Sequence, residues 1–279
     1  MPLHRRLARS MLLATSPQRQ GVGWWDVSEV ALVALGFLLY FLVRGAPADR
    51  TEDALQHARS IVDLERSLGM FIEPHVQEWV LSAGILWRLM NFVYFWFDFP
   101  LIVGVGLFMF FRSRTYYTLL RDSLLLSGGL ALLIYYTFPV APPRYLTDLG
   151  FVDTLEVYSN LSYQAQSMQP FVNPYAAVPS LHVGWSALLA YAVFRATANV
   201  FARAAVLGVF VLQCIAVMGT GNHFAFDGFV GLLVCALGLA MAMWLQRAGY
   251  PAVRGRLAAW ADIAPGGEAR RRRHEARAG

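Results

Sequence analysis

Lysine is absent from the 279 residues, so all 23 basic side chains are arginines. Charge of either sign is scarce: 15% of the residues are charged and 57% are hydrophobic. Soluble domains carry about 25% charged residues. Together with several apolar runs of membrane-spanning length, this argues against a large soluble helical bundle and predicts an integral membrane protein. Cysteine is nearly missing too. Cys214 and Cys235 both fall inside apolar runs, where they read as small core residues and not as a disulfide or a metal site. There is no HExxH and no His/Cys cluster with ligand spacing, so no metal and no cofactor is expected. No internal repeat and no second folded domain is evident, and no nucleic-acid partner is expected.

What is present is an all-α pattern. Residues 1–23 form a basic cytoplasmic arm with Arg5, Arg6, Arg9 and Arg19, followed by Trp24 and Trp25 as interface anchors. The pattern predicts six transmembrane helices: Val27 to Val43, Leu86 to Phe111, Ser123 to Val140, Val178 to Phe194, Ala204 to Met218 and Phe224 to Leu245. The first reads as an uncleaved anchor. Ala46-Pro47-Ala48 faintly resembles a cleavage site, but the run exceeds the usual signal-peptide core. Between the first two spans, Leu55, Ile61, Val62, Leu64 and Leu68 recur at roughly helical spacing among charged residues. That predicts an amphipathic interfacial helix, with structural roles for Glu65, Glu73 and His75. Asp98 lies inside the second span. A charge at mid-membrane depth costs about 2.5–3.5 kcal/mol, so it is expected to face other helices in packing or a polar network. Ser127-Gly128-Gly129 suits close helix packing. The expected organisation is the arm, a membrane domain over 24–246, and a basic cytoplasmic tail over 247–279 that carries Arg270 to Arg273 and suits anionic lipid.

The arginines orient the spans. Seventeen fall on the side that holds both termini and six on the other, which makes the termini cytoplasmic by the positive-inside rule. The expected location is the plasma membrane. Arg144, Ser180, His182, His223 and the long loop from Ala141 to Ala177 then share the outer face.

That outer cluster can carry chemistry. Pro179 and Ser180 mark a helix start, and a helix N-terminus is an anion site. His182 sits in its first turn. His223 and Asp227, four apart, fall on one helical face, and a carboxylate behind an imidazole fixes its tautomer. Arg144, in a Pro-stiffened loop, is a planar cation suited to phosphate oxygens. The set fits phosphoryl transfer, with His223 attacking phosphorus, His182 protonating the leaving oxygen, and Arg144 with the amides holding charge. A structural His223–Asp227 pair is the plain alternative. A rhomboid-like protease using Ser180 and His223 would leave His182, Asp227 and Arg144 without a task. A proton-coupled transporter or a non-catalytic lipid-binding protein is the non-enzyme alternative. A transporter predicts ionisable groups deep in several spans, whereas these lie at the rim.

Pro179-Ser180-Leu181-His182, with His223 and Asp227, resembles the second and third motifs of the type 2 phosphatidic acid phosphatase superfamily. Leu181, where many members have Gly, and Ala141-Pro142-Pro143-Arg144, Asn173-Pro174-Tyr175, Gly221-Asn222-His223 and the segment from Leu64-Glu65 to Glu73-Pro74 narrow the likeness. They point to an inositol phosphorylceramide synthase-like bacterial branch. The resemblance spans roughly Asp63 to Gly231. It implies a six-helix membrane fold and a metal-independent phosphohistidine mechanism. His223 would be the nucleophile, Asp227 its partner and His182 the general acid, while Arg144 and Ser180 would bind phosphate. The expected partner is a lipid substrate, a phospholipid or a polyprenyl phosphate. Two positions depart from the family: Thr137 stands where its first motif has Lys, and Val217 where its third has Arg. Fewer cations favour a phosphodiester over a dianionic monoester.

Overall fold

A computed structural model describes residues 25–44, 50–159 and 173–260. The basic arm, Trp24 and the Arg270–Arg273 run lie outside the described residues. The helices are α1 Trp25–Arg44, α2 Thr51–Ser67, α3 Glu73–Leu81, α4 Gly84–Trp96, α5 Asp98–Arg112 and α6 Arg114–Thr137. After two short 3-10 turns come α7 Thr154–Ser159, α8 Leu181–Ala196, α9 Val200–Gly219, α10 Ala225–Trp244 and α11 Tyr250–Trp260. Among the described residues there is no β-strand, only an isolated parallel bridge between Val140 and Ala176. Residues 32–241 form one compact unit. In the second unit the described residues are 25–31 and 242–260, where a π-helical turn, Leu245–Gly249, leads into α11.

Among the described residues, three helical stretches are long and apolar enough to cross a membrane: Arg114–Thr137, Val200–Gly219 and Ala225–Ala259. A fourth arises if Gly84–Trp96 and Asp98–Arg112, bent by 55°, count as one span. The chain is a membrane protein, and its surface agrees with that. Phe99, Val103, Leu107 and Phe111 are all exposed, as are Phe229, Leu233 and Leu237. These fours-apart stripes fit lipid contact along one helix face.

The structure departs from the expected six spans in three places. The segment expected to run straight from Leu86 to Phe111 breaks at Phe97, and Asp98 opens the second half. The fourth element begins at Leu181 and has 16 residues, because Val178 to Ser180 form its approach and cap. At 1.5 Å per residue it spans about 24 Å, short of a ~30 Å hydrocarbon core. In the first helix the apolar stretch Glu29–Leu39 is also below spanning length.

The amphipathic α2 has acidic residues in its first turn and Arg66 in its last, as the helix dipole favours. It buries Ala54, Ala58, Ile61, Val62 and Glu65. Leu64 and Leu68, which the periodicity placed on the apolar face, are exposed. Glu65 takes the inward position instead. A turn with Gly69 at φ +66° folds α3 back, and Glu73 at its start is fully buried.

One buried cluster of the 32–241 unit joins α6 and α8, with Ile102 and Met109 from α5 and Cys235 from α10. Trp185 Nε1 donates to Ser127 Oγ at 3.1 Å, so the small-residue stretch of α6 receives an indole. The crossing of α8 and α10 depends on Gly231. A Cβ there would lie 2.1 Å from the Ser180 carbonyl oxygen, and one on Gly184 would lie 2.7 Å from that of Gly231. Only hydrogen at both positions lets the start of α8 sit against α10. Asn199 caps α9, accepting from the N–H groups of Phe201 and Ala202. At its far end Gly221, at φ +71°, turns the chain towards His223.

Candidate active site

His223 lies in the turn between α9 and α10, not on the helix as its spacing from Asp227 suggested, because α10 begins at Ala225. Its main-chain N–H donates to Val217 O at 3.0 Å, which anchors the turn to the end of α9. Asp227, in the first turn of α10, reaches back: Oδ2 is 3.4 Å from His223 Nδ1 and accepts the Phe224 N–H at 2.9 Å. The nearest partner of Nδ1 is the carbonyl oxygen of Ala177, at 2.8 Å. A carbonyl can only accept, so Nδ1 carries the hydrogen and Nε2 keeps its lone pair. That tautomer is the one a nucleophilic imidazole requires.

His182 occupies the first turn of α8. Its ring centroid is 5.8 Å from that of His223, and it stacks on Tyr94 at 4.3 Å. Its Nδ1 is 2.5 Å from Asp98 Oδ2. Gln213, fully buried on α9, donates to the other oxygen of Asp98. The break in the α4–α5 pair thus delivers a carboxylate to an imidazole, and each histidine has its own acid.

Ser180 is fully buried, and its hydroxyl has no partner among the described residues. Its main-chain N–H is held by Asp227 O at 2.9 Å. The N–H groups of the first turn of α8 precede that helix's own ladder and lie beside this hydroxyl. Arg144 comes from the 3-10 turn Pro143–Tyr145. Its main-chain N–H donates to Gly221 O at 2.9 Å, its Nη1 donates to Asn222 Oδ1, and its Nε is 3.1 Å from Asp153 Oδ2. Asp153 also caps α7 by accepting from the N–H groups of Leu155 and Glu156. The fold therefore gathers Arg144, Ser180, His182, His223 and Asp227 around one turn. Among the described residues, no group of three or more His, Cys, Asp or Glu side chains is arranged to hold a metal ion.

A family model described as the PAP2 superfamily matches residues 59–241. The chain belongs to the PAP2 superfamily. The matched stretch includes the five residues above and also Asp98 and Asp153. The chain is 26% identical, over 210 residues, to the phosphoinositol dihydroceramide synthase of Bacteroides thetaiotaomicron. That match covers 64% of each chain, so it spans less than two thirds of the relative's length. No solved structure matches.

The residue pattern pointed to the PAP2 motifs but not to their acidic surroundings. Asp98 was visible as a charge in an apolar run, without a partner. Tyr94 lies four residues before it, a helical spacing that could have suggested a shared face. Nothing local marks Asp153 as the partner of Arg144.

Glu65 and Glu73, expected to be structural, end beside the site. Glu65 Oε1 accepts the Phe226 N–H at 2.8 Å and Glu73 Oε1 the Ala225 N–H at 2.6 Å. Burial, and then the charge of Glu73, pushes the Glu65 carboxyl up to about 8. Burial raises that of Glu73 as well.

Proposed function

We propose that the protein is a membrane lipid phosphotransferase, with six spans, cytoplasmic termini and its active site on the outer face. It takes a phosphoryl-linked head group from a phosphodiester lipid and hands it to an alcohol through His223. The observation that carries this reading is the facing pair of imidazoles, each with its own carboxylate, next to a buried hydroxyl that no group among the described residues satisfies.

Nε2 of His223 attacks phosphorus while the bond to the leaving oxygen breaks. His182 gives its proton to that oxygen, so the lipid leaves as an alcohol. The phosphorylated ring is cationic, and Asp227, 3.4 Å away, offsets that charge. An acceptor alcohol then gives its proton to His182 and attacks phosphorus, the P–N bond breaks, and His223 returns to its starting tautomer. Ser180 and the first-turn amides of α8 bind a non-bridging oxygen, as an anion at a helix N-terminus requires. General acid catalysis of this kind contributes ~10²–10⁴ in rate.

Charge favours a diester donor. The Arg144 guanidinium is already matched by Asp153 at 3.1 Å. Thr137 turns its hydroxyl back onto its own helix, and Val217 is buried and apolar. A pocket with one offset cation suits a singly charged phosphate better than a dianion. The synthase name of the Bacteroides relative supports an alcohol over water as acceptor.

The test is a phosphohistidine trap. Wild type and His223→Ala, reconstituted in vesicles, are mixed with phosphorus-labelled diester and monoester lipids and quenched. Acid-labile label on wild type alone is expected, and the donor that gives it identifies the substrate. A folded wild type that turns over a lipid without ever carrying label overturns the mechanism.

A further inference from the structure

Three successive backbone N–H groups at the start of α10 point into carboxyl groups. Phe224 donates to Asp227, Ala225 to Glu73 and Phe226 to Glu65. Two of these acids come from the α2–α3 hairpin, far away in sequence. Glu65 is 2% exposed and Glu73 is 0% exposed. Their outer oxygens, Oε2 in both, have no donor among the described residues. Because Ala225 and Phe226 are adjacent, the two carboxyl groups that accept their N–H groups are brought close to each other. A hydrogen bond between two carboxyl groups needs a proton on one of them. The phosphotransfer steps use neither acid.

We infer that Glu65 and Glu73 are positioning residues: one shared proton joins them into a clamp that holds the first turn of α10, and with it Asp227 and His223, in the reacting position. The amphipathic hairpin is then part of the catalytic apparatus. It reaches Asp227 and His223 through the backbone at the start of α10. Helix N-termini favour nearby negative charge, and the shared proton leaves the clamp a single charge. The groups facing it are few. Asp227 adds a third carboxylate from α10, with His223 on that acid's other side at 3.4 Å. A second charge on the clamp would therefore meet two carboxylates in a buried space. The raised carboxyl of Glu65, near 8, places that loss in the mildly alkaline range. The folded state holds this proton more tightly than the unfolded chain, so the clamp's stabilisation is complete below the ordinary glutamate range. It declines as pH rises and is lost above about 8.

The clamp itself is tested without substrate; only its catalytic consequence rests on the phosphotransfer reading. The full chain in phosphatidylcholine vesicles is followed by amide hydrogen exchange in the peptide spanning His223 to Asp227. Wild type is compared with Glu65→Gln at equal pH, because glutamine keeps an acceptor for Phe226 and carries a permanent donor for Glu73. Below the titration the two should exchange alike. Above it, wild type should exchange about tenfold faster than the variant, the size of one lost hydrogen bond to a charged group. Equal exchange above the titration overturns the shared proton.

The activity arm uses Glu65→Ala, which leaves the Phe226 N–H without its acceptor. We expect kcat to fall about tenfold with KM within about twofold, rescue of kcat by Glu65→Gln, and an alkaline limb of wild type that Glu65→Gln lacks. An unchanged kcat in Glu65→Ala, or the same alkaline limb in Glu65→Gln, overturns the positioning role. If Glu65→Ala does not fold, the Glu65→Gln pH profile decides alone. A wild type that turns over no lipid but shows the exchange difference keeps the clamp and rejects the transfer reading.

Discussion

Replacing Asp98 with Asn removes one charge at the site and little volume. Asp98 Oδ2 is 2.5 Å from His182 Nδ1, and its other oxygen takes the amide of Gln213. Asn can keep one of these contacts but not the charge. Hydrogen bonds to charged groups contribute about 1.5–3 kcal/mol. At 1.36 kcal/mol per factor of ten, the loss corresponds to about 10- to 150-fold in the step that needs the His182 proton. It should appear in kcat and not in KM, since His182 acts on the leaving oxygen and not on the bound phosphate. The leaving group supplies the discriminating assay. A diacylglycerol oxygen must be protonated as it departs; an aryl oxide need not be. Asp98→Asn should therefore slow a natural diester lipid by the full factor and an aryl phosphodiester of the same head group by less than about threefold. Steady-state kinetics on both substrates in one vesicle preparation measure this. Equal loss on the two substrates would show that Asp98 supports the fold and not the acid. Wild-type rates on both would remove Asp98 from the mechanism.

Two further substitutions test the surroundings. Asp153→Asn should free the Arg144 cation and raise the ratio of monoester to diester kcat/KM by about tenfold, the effect of roughly one charge contact; an unchanged ratio would end the charge argument for diester preference. Gly231→Ala places a methyl 2.1 Å from the Ser180 carbonyl. It should lower stability by about 1–3 kcal/mol and reduce turnover as α8 moves off α10; a wild-type melting temperature and rate would show that the crossing has slack.

Local order decided what could be read from the chain. His182 follows Ser180 by two residues, and His223 precedes Asp227 by four, so short-range geometry alone places each pair at a helix start. The all-helical architecture follows from apolar runs in the same way. Asp98 and Asp153 are different. Each is ordinary in its own segment and gains a partner only when another helix or turn arrives. Glu65 was misleading, because hydrophobic periodicity treats a glutamate as an outward residue. It is inward here because the start of α10 offers it a backbone N–H. The expected spans and the observed helices differ where polar function interrupts an apolar run. Asp98 breaks one helix, and the cap at Ser180 shortens another.

The break at Phe97 also bears on how the protein is made. Asp98 leaves the ribosome in an apolar segment long before either of its partners exists. Gln213 and His182 both lie downstream, on α9 and α8. A carboxylate in hydrocarbon costs about 2.5–3.5 kcal/mol at mid-depth, so the growing chain carries an uncompensated charge until α8 is complete. The acid that serves the general acid is thus a liability during insertion, and chains that stop before α8 keep that charge exposed to whatever disposes of unfinished membrane proteins.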